Sequence, residues 1–301
     1  MRWSAFSLLF GALFFLGCGQ PSTQSSLIII RQERYDPEAA PVDFPSPLGA
    51  TAKRRIISLV PSSTEVLFAL GFGDRIVGID RWADFPKEVE SLPRLGDISR
   101  VATERILDLA PDLVLLFECQ KDSADLLMSA GIDVFIPETE GSMLGSIESV
   151  ARRAGAPERG EALVKRLRAQ VETQRIANEG LTPVRVLMVF ERIPRISVAT
   201  SHGFYEEMLS VVRGVNVSAN AHDVKAFTWC SVEQILDWDP EVVIDLTYDQ
   251  DGSRRTEAEE FWRRLLKGRS RVHLIDAPVL ARPGPRLPAA LDFLKALIHG
   301  G

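Results

Sequence analysis

The sequence predicts an α/β fold of two α/β lobes joined by one long rigid α-helix, and three observations carry this. "ERILDLAPDLVLL" begins at Glu104, and 129 residues later "EQILDWDPEVVID" begins at Glu233. In both copies Ile and Leu share a helical face, a proline ends the helix, and a continuous apolar run follows, of the kind buried on both faces of a parallel sheet. Between the copies lies "PERGEALVKRLRAQVETQRIANEG", opened by Pro157 and closed by Gly180. Coincidence is the competing explanation of the repeat, since helix–Pro–Asp–strand junctions recur in α/β proteins, but Glu, Ile, Leu, Asp, Pro and Val all coincide in register.

Residues 1–18, "MRWSAFSLLFGALFFLGC", read as an export signal: Arg2, an apolar run from Phe6 to Leu16, then small residues. That run is shorter than the ~20 residues of a membrane span. "FLGC" resembles the lipobox of bacterial lipoproteins, which implies that Cys18 is lipidated and anchors the chain to a membrane. Phe15 departs from the usual Leu of that motif. Residues 19–52 contain "QPSTQSS", "DPEAAP" and "FPSPLGA", a tether by composition; "SLIIIRQERY" within it has the pattern of an edge strand.

Residues 53–156 form the first lobe. "RRIISLVPSSTEVLFALGFGDRIVGI" gives a strand (Ile56 to Val60), a turn, a helix, Gly71 and a second strand (Ile76 to Ile79), which is a βαβ unit. Ser62 or Ser63 is expected to cap the helix, with Glu65 in its first turn favoured by the macrodipole. The two repeat helices are likewise expected to start behind a Thr or Ser cap. Residues 157–180 repeat Leu163, Leu167 and Val171 at four-residue spacing with Arg and Lys elsewhere. A helix of that length crosses roughly 30 Å at about 1.5 Å per residue, enough to join two lobes, although a plain surface helix has the same pattern. Residues 181–301 supply a second α/β set: "VRVLMVF", "RISVAT", "FYEEMLSVV", the second repeat, "FWRRLLKG", "RVHLID" and "PAALDFLKALI". A cleft is expected between the lobes, where strand ends converge.

Composition narrows the function. The chain has 301 residues, 46% hydrophobic and 25% charged, with 35 basic and 41 acidic side chains for a net charge of −6. No basic block marks a nucleic-acid partner. With three cysteines, four histidines and no C-x-x-C or H-x-x-x-H spacing, no metal site is assigned. G-x-S-x-G, P-loop and H-E-x-x-H patterns are absent, so no catalytic residue is assigned. An enzyme using Asp80, Asp84, Asp97 and Glu118 as acids, a zinc or manganese receptor, and a structural lipoprotein without a ligand stand as the other classes.

"RRIISLVPSSTEVLFALGFGDRIVGIDRWADFPKEVESLPRLGDI", "ERILDLAPDLVLL", the central helix and "RPGPR" together resemble the substrate-binding proteins of ABC importers for cobalamin, haem and ferric siderophores, with the cobalamin-binding branch nearest. The similarity runs from about Arg54 to the C-terminus. It implies a monomeric, two-lobed periplasmic or cell-surface receptor with a helical backbone. Such a receptor hands a metal chelate to the two symmetric permease subunits of a transporter. Glu104 and Glu233 match the glutamates that dock on arginines of those subunits; a first-turn Glu also simply suits the helix dipole.

The resemblance further implies a ligand site with Trp82, Phe117, Glu118, Phe190, Phe227 and Trp229 along the cleft, since aromatic faces suit large planar ligands. Each of these aromatics has a core role as its alternative. Arg282, with Arg286, lies in a loop that the family places on the cleft rim, where it would meet ligand anions or remain solvated. Ser62, Ser63 and Thr64 would present amides at a helix N-terminus, or merely cap it. No cofactor is expected beyond the transported chelate, cobalamin or a relative; a siderophore or haem is the runner-up. Cys119 and Cys230 are expected near opposite cleft walls, as a metal pair, a disulfide, or, by default, small buried thiols. His202, His222, Tyr205 and Tyr248 match no haem-ligand motif.

Overall fold

The computed structural model describes residues 44, 47–138, 142–192, 195–221, 225–246, 255–276, 278–282 and 284–300. Cys18, the "SLIIIRQERY" segment, His222 and Tyr248 lie outside these residues. The first half runs β1 (Ile56–Ser58), α1 (Pro61–Ala69), β2 (Ile76–Ile79), β3 (Gly96–Asp97), β4 (Arg100–Val101), α2 (Thr103–Asp108), β5 (Leu113–Leu115), α3 (Lys121–Ser129), β6 (Val134–Phe135) and α4 (Gly145–Ala154). Strands β2-β1-β5-β6 make a parallel sheet, and β3 and β4 pair as a small antiparallel ribbon. β1 and β5 are buried throughout, as their unbroken apolar sequences require.

Helix α5 (Pro157–Asn178) follows, with proline at its start. Leu163, Val164, Leu167 and Val171 are buried on one face. α5 packs on α4 and also on α6 (Phe204–Val211) and α9 (Leu287–His299), so it touches helices from both halves of the chain. Gln174 ties it further to the second half, donating to Pro288 O at 2.9 Å and Asp292 Oδ1 at 2.8 Å.

The second half adds β7 (Val184–Glu191), β8 (Ile196–Ala199), β9 (Gly214–Asn216), β10 (Phe227–Cys230), α7 (Val232–Trp238), β11 (Val242–Asp245), α8 (Arg255–Leu266) and β12 (Arg271–Leu274). Its sheet is mixed, in the order β10-β8-β7-β11-β12, with β9 also on β7. β11 is parallel to β7 and β12, whereas β8 is antiparallel to β7 and to β10.

The repeat is structural. From Glu104 to Pro111 and from Glu233 to Pro240, exposure follows one pattern position by position: Ile106 and Ile235 are buried, while Leu107 and Leu236 are exposed. Each helix is closed by a left-handed residue at the same place, Ala110 at φ 43° and Asp239 at φ 45°. The carboxylates just beyond the prolines then hold the neighbouring strand: Asp112 accepts from Arg55 N at 3.1 Å, and Glu241 from Arg185 N at 2.9 Å. Arg55 and Arg185 also each donate Nε to a carbonyl at the helix end, Leu109 O and Asp239 O.

Two capping expectations need correction. Ser231 does cap α7, accepting from Gln234 N at 3.3 Å, but Thr103 is the first helical residue of α2, and Ala102, with no side-chain oxygen, holds the cap position. In α1 the cap position is Val60, so Ser62 and Ser63 lie inside the helix and cap nothing, and Glu65, the fifth helical residue, falls beyond the first turn expected for it.

Candidate functional site

Three segments follow the C-terminal ends of parallel strands in the first sheet: the start of α1 after β1, Asp80–Trp82 after β2, and Phe117–Gln120 after β5. Open α/β sheets gather ligands at such ends. Trp82 is half-buried, with the Arg81 guanidinium 5.1 Å from its ring centroid. Its N–H donates to Asp80 Oδ1 at 2.6 Å. Burial pushes the Asp80 carboxyl up to about 6. Phe117 is half-buried and held by a bond from its N–H to Gln120 Oε1 at 2.8 Å, while Glu118 is exposed beside Lys121.

From the second half, Phe190 on β7 and Phe227 on β10 meet edge to face, with centroids 4.6 Å apart; Tyr205 lies 4.7 Å from Phe190. Both phenylalanines remain half-buried, whereas Tyr205 is buried. Alternation along β10 puts Trp229 on the same face as Phe227, and Trp229 is 50% exposed. Cys230 points to the other face, packed against the apolar cluster that includes Leu187, Val189, Ile235 and Trp262, and burial pushes its thiol up to about 11.

The "RPGPR" arginines are not solvated. Arg282 donates Nη2 to Trp82 O at 2.8 Å, pairs with Asp84, and lies 3.4 Å from Glu65 Oε1. Arg286 forks onto Glu65, with Nε donating to Oε2 at 2.8 Å and Nη2 to Oε1, and its guanidinium stands 4.3 Å from the Phe85 ring centroid. Glu65 and Arg286 are 2% and 4% exposed, so this is a buried ion pair. Burial raises the Glu65 carboxyl above its usual range, against the pull of both arginines.

Chain segments more than 190 residues apart therefore meet over the N-terminus of α1. Beneath them Ser62, Ser63 and Thr64 are buried; the Thr64 hydroxyl donates to Ser58 Oγ at 2.9 Å, and Ser63 Oγ finds no partner among the described residues.

Trp82 and Arg282 are thus brought together, as are Phe190 and Phe227. Sequence reasoning missed Glu65 and Asp84 as partners of the arginines. The signal available was the "TE" after the serine turn, read there only as a dipole effect. Cys119 and Cys230 are free thiols, and Cys119 is exposed, contrary to the expectation of a buried one. Among the described residues no group of three or more His, Cys, Asp or Glu is arranged to hold a metal, and no helix is long and apolar enough to cross a membrane. Of the four acids considered for catalysis, Asp84 pairs with Arg282, Asp97 Oδ1 accepts from Ser99 N and Arg100 N, Asp80 accepts from Trp82 N, and Glu118 lies 3.4 Å from Lys121 Nζ.

The chain is 28% identical over 313 aligned positions, covering 99% of it and 96% of the relative, to an uncharacterised ABC transporter substrate-binding lipoprotein of Bacillus subtilis. It is 26% identical to the vitamin B12-binding protein of Vibrio cholerae over 79% of this chain and 86% of that one. Among solved structures, the periplasmic haem-binding protein of Roseiflexus sp. RS-1 in apo form superposes with a TM-score of 0.68 at 27% identity, covering 81% of this chain and 97% of its own. The periplasmic binding protein family model matches residues 56–264, and the chain belongs to that family.

Proposed function

We propose that the chain is an exported substrate-binding protein that captures a metal chelate, with a corrinoid as its ligand, and delivers it to the permease dimer of an ABC importer. In this proposal residues 53–156 and 181–301 act as two lobes across helix 157–180, the protein works as a monomer, and Cys18 carries a lipid that keeps it at the membrane. The relatives support the class, since one is a transporter lipoprotein and two bind B12 or haem.

The carrying observation is the convergence of Trp82 and Arg282, from opposite halves, within 2.8 Å of one another. Residues at that junction, with Phe117, Phe190, Phe227 and Trp229, would wall the ligand. The arginines favour a corrin over an anionic siderophore, because Asp84 and Glu65 already neutralise Arg282 and Arg286. An anionic ligand would have to displace a carboxylate from Arg282, and what remains to offer a ligand is chiefly aromatic surface.

Glu104 and Glu233 would dock one on each permease subunit. Both are exposed, at equivalent places in the two repeats. For Glu233, hydrogen bonding, first with Ser231 and then with backbone, holds the carboxyl below its usual range, so it is ionised at neutral pH. The test is Glu104→Arg with Glu233→Arg, assayed with a reconstituted ABC importer whose ATPase the unmodified chain stimulates. Ligand affinity should be unchanged and stimulation lost. Stimulation equal to that of the unmodified chain would refute the docking role.

A further inference from the structure

The two repeats share more than a glutamate. Large apolar side chains that remain exposed among the described residues are Ile98, Leu107, Leu126, Met128, Ile176, Val215, Trp229 and Leu236. Four of these eight fall in the stretches 98–107 and 229–236, and two of them, Leu107 and Leu236, occupy one register position, three residues after the glutamate; Ile98 and Trp229 do not correspond, since Ile98 aligns with Phe227 and Trp229 with Arg100. Leu107 is 38% and Leu236 41% exposed, one helical turn beyond Glu104 and Glu233 and so on the same helix face. Ile98, at 52%, sits on the β3–β4 turn before α2, and Trp229, at 50%, on the strand before α7. Asp108 and Asp237 follow each leucine and are exposed too.

A core-forming repeat has no reason to keep a leucine exposed twice at one register position. Its inward needs are met by Ile106 and Ile235, both fully buried. Repetition of the exposed feature in two sequences that otherwise differ here, Arg105 against Gln234 and Leu109 against Trp238, ties it to something outside the chain that is itself repeated.

We propose that Leu107 and Leu236 are apolar anchors that seat in two equivalent pockets of one two-fold-symmetric partner, each pocket bordered by a cation that meets Glu104 or Glu233. This rests on the docking proposed above and adds its apolar half. Anchors set beside a charged pair exclude water from it and strengthen it. The acidic residues around each leucine exclude an acidic partner surface by like charge. A second copy of this chain would bring acid to acid, which makes a permease dimer with cationic pocket rims the fitting occupant.

The test uses the full chain, labelled and titrated into nanodiscs holding the importer that it stimulates. Leu107→Ala and Leu236→Ala should each weaken binding several-fold and by similar factors, and together by at least about tenfold. Melting temperature should stay near that of the unmodified chain. Leu107→Lys with Leu236→Lys keeps the aliphatic stems packed and sets cations against a cationic rim, so it should abolish binding. If the double alanine and double lysine variants bind like the unmodified chain while Glu104→Arg with Glu233→Arg does not bind, the anchors are refuted and the docking role of the glutamates stands. Weakening by only one leucine would overturn the paired arrangement. If the leucine changes instead shift the chain from dimer to monomer in light scattering, the partner is another copy and the proposal is wrong. Stimulation of no importer by the unmodified chain would overturn both proposals.

Discussion

Replacing Arg286 by Met is expected to be among the most damaging single changes in the protein. Arg286 grips both oxygens of Glu65, and both residues are almost fully buried. Removing one member of a buried pair typically costs about 3–5 kcal/mol, because the other charge is left without its counter-ion. Two features place this case at the lower end. Arg282 remains 3.4 Å from Glu65, and burial already raises the Glu65 carboxyl, so it can take up a proton in the variant. At about 2–4 °C per kcal/mol for a chain of a few hundred residues, that lower end of about 3 kcal/mol corresponds to a fall in Tm of roughly 6–12 °C.

The deficit should depend on pH in a definite direction. Loss of Arg286 raises the Glu65 carboxyl further, so the folded variant gains stability as pH falls and is weakest, relative to the unmodified chain, at high pH. Circular dichroism melts at pH 5 and pH 8 would read this. Combining Arg286→Met with Glu65→Leu should recover most of the loss, since a well-packed apolar pair is often neutral or stabilising compared with a buried ion pair. A single variant melting within 2 °C of the unmodified chain would refute the buried pair. So would a double variant no more stable than the single one, because it would show that the cost came from packing against Phe85 and not from the stranded charge.

Burial, and then Arg271, push the His273 imidazole down to about 4. Its folded value lies below the unfolded ~6.5, so its neutral form supports the fold fully above pH 6.5, and up to about 3 kcal/mol is lost as pH falls from 6.5 toward 4. Asp80, raised to about 6, works in the opposite sense over much of that window. The measurement is therefore the difference between unmodified and His273→Leu denaturation curves: the variant should gain relative stability as pH falls, and a constant difference from pH 7 to 4 would contradict this. At Ala110, held at φ 43°, a left-handed alanine costs roughly 1–2 kcal/mol and glycine about 0.5–1 kcal/mol in chain entropy. Ala110→Gly should thus raise Tm by about 1–4 °C, and a lowered Tm would count against the strained turn.

The α/β alternation, the two sheets and α5 were legible because burial writes itself into spacing. Val114 and Val243 sit in unbroken apolar runs that only a strand covered on both faces tolerates, and Leu163, Leu167 and Val171 mark one helix face. The repeat was legible as letters, and its register also held an unused clue: Ser231 aligns with Ala102, not with Thr103, which explains why one helix is capped and the other is not.

What could not be read was the pairing of Glu65 with Arg286, 221 residues apart. No local pattern distinguishes a helical glutamate facing water from one facing an arginine across the molecule. The same limit applied to Arg282, where a loop rich in Pro and Gly gave no hint that its charge is already taken by Asp84. Phe190 and Phe227 were named separately as wall residues; that they form one edge-to-face pair depends on β10 lying across β8 from β7, an order the sequence does not express.

The most direct measurement is a tryptophan-fluorescence titration of the chain from residue 19 onward with cyanocobalamin, cobinamide, haem and a ferric siderophore, corrected for absorption by these coloured ligands. Trp82 is half-buried and Trp229 half-exposed, and under the proposal both wall the captured ligand, which would quench them. The account predicts saturable, submicromolar quenching by a corrinoid, weakened by Phe227→Ala. Tight binding of haem or siderophore with none of either corrinoid would contradict the corrin assignment, and no binding of any of the four would contradict the capture of a metal chelate itself.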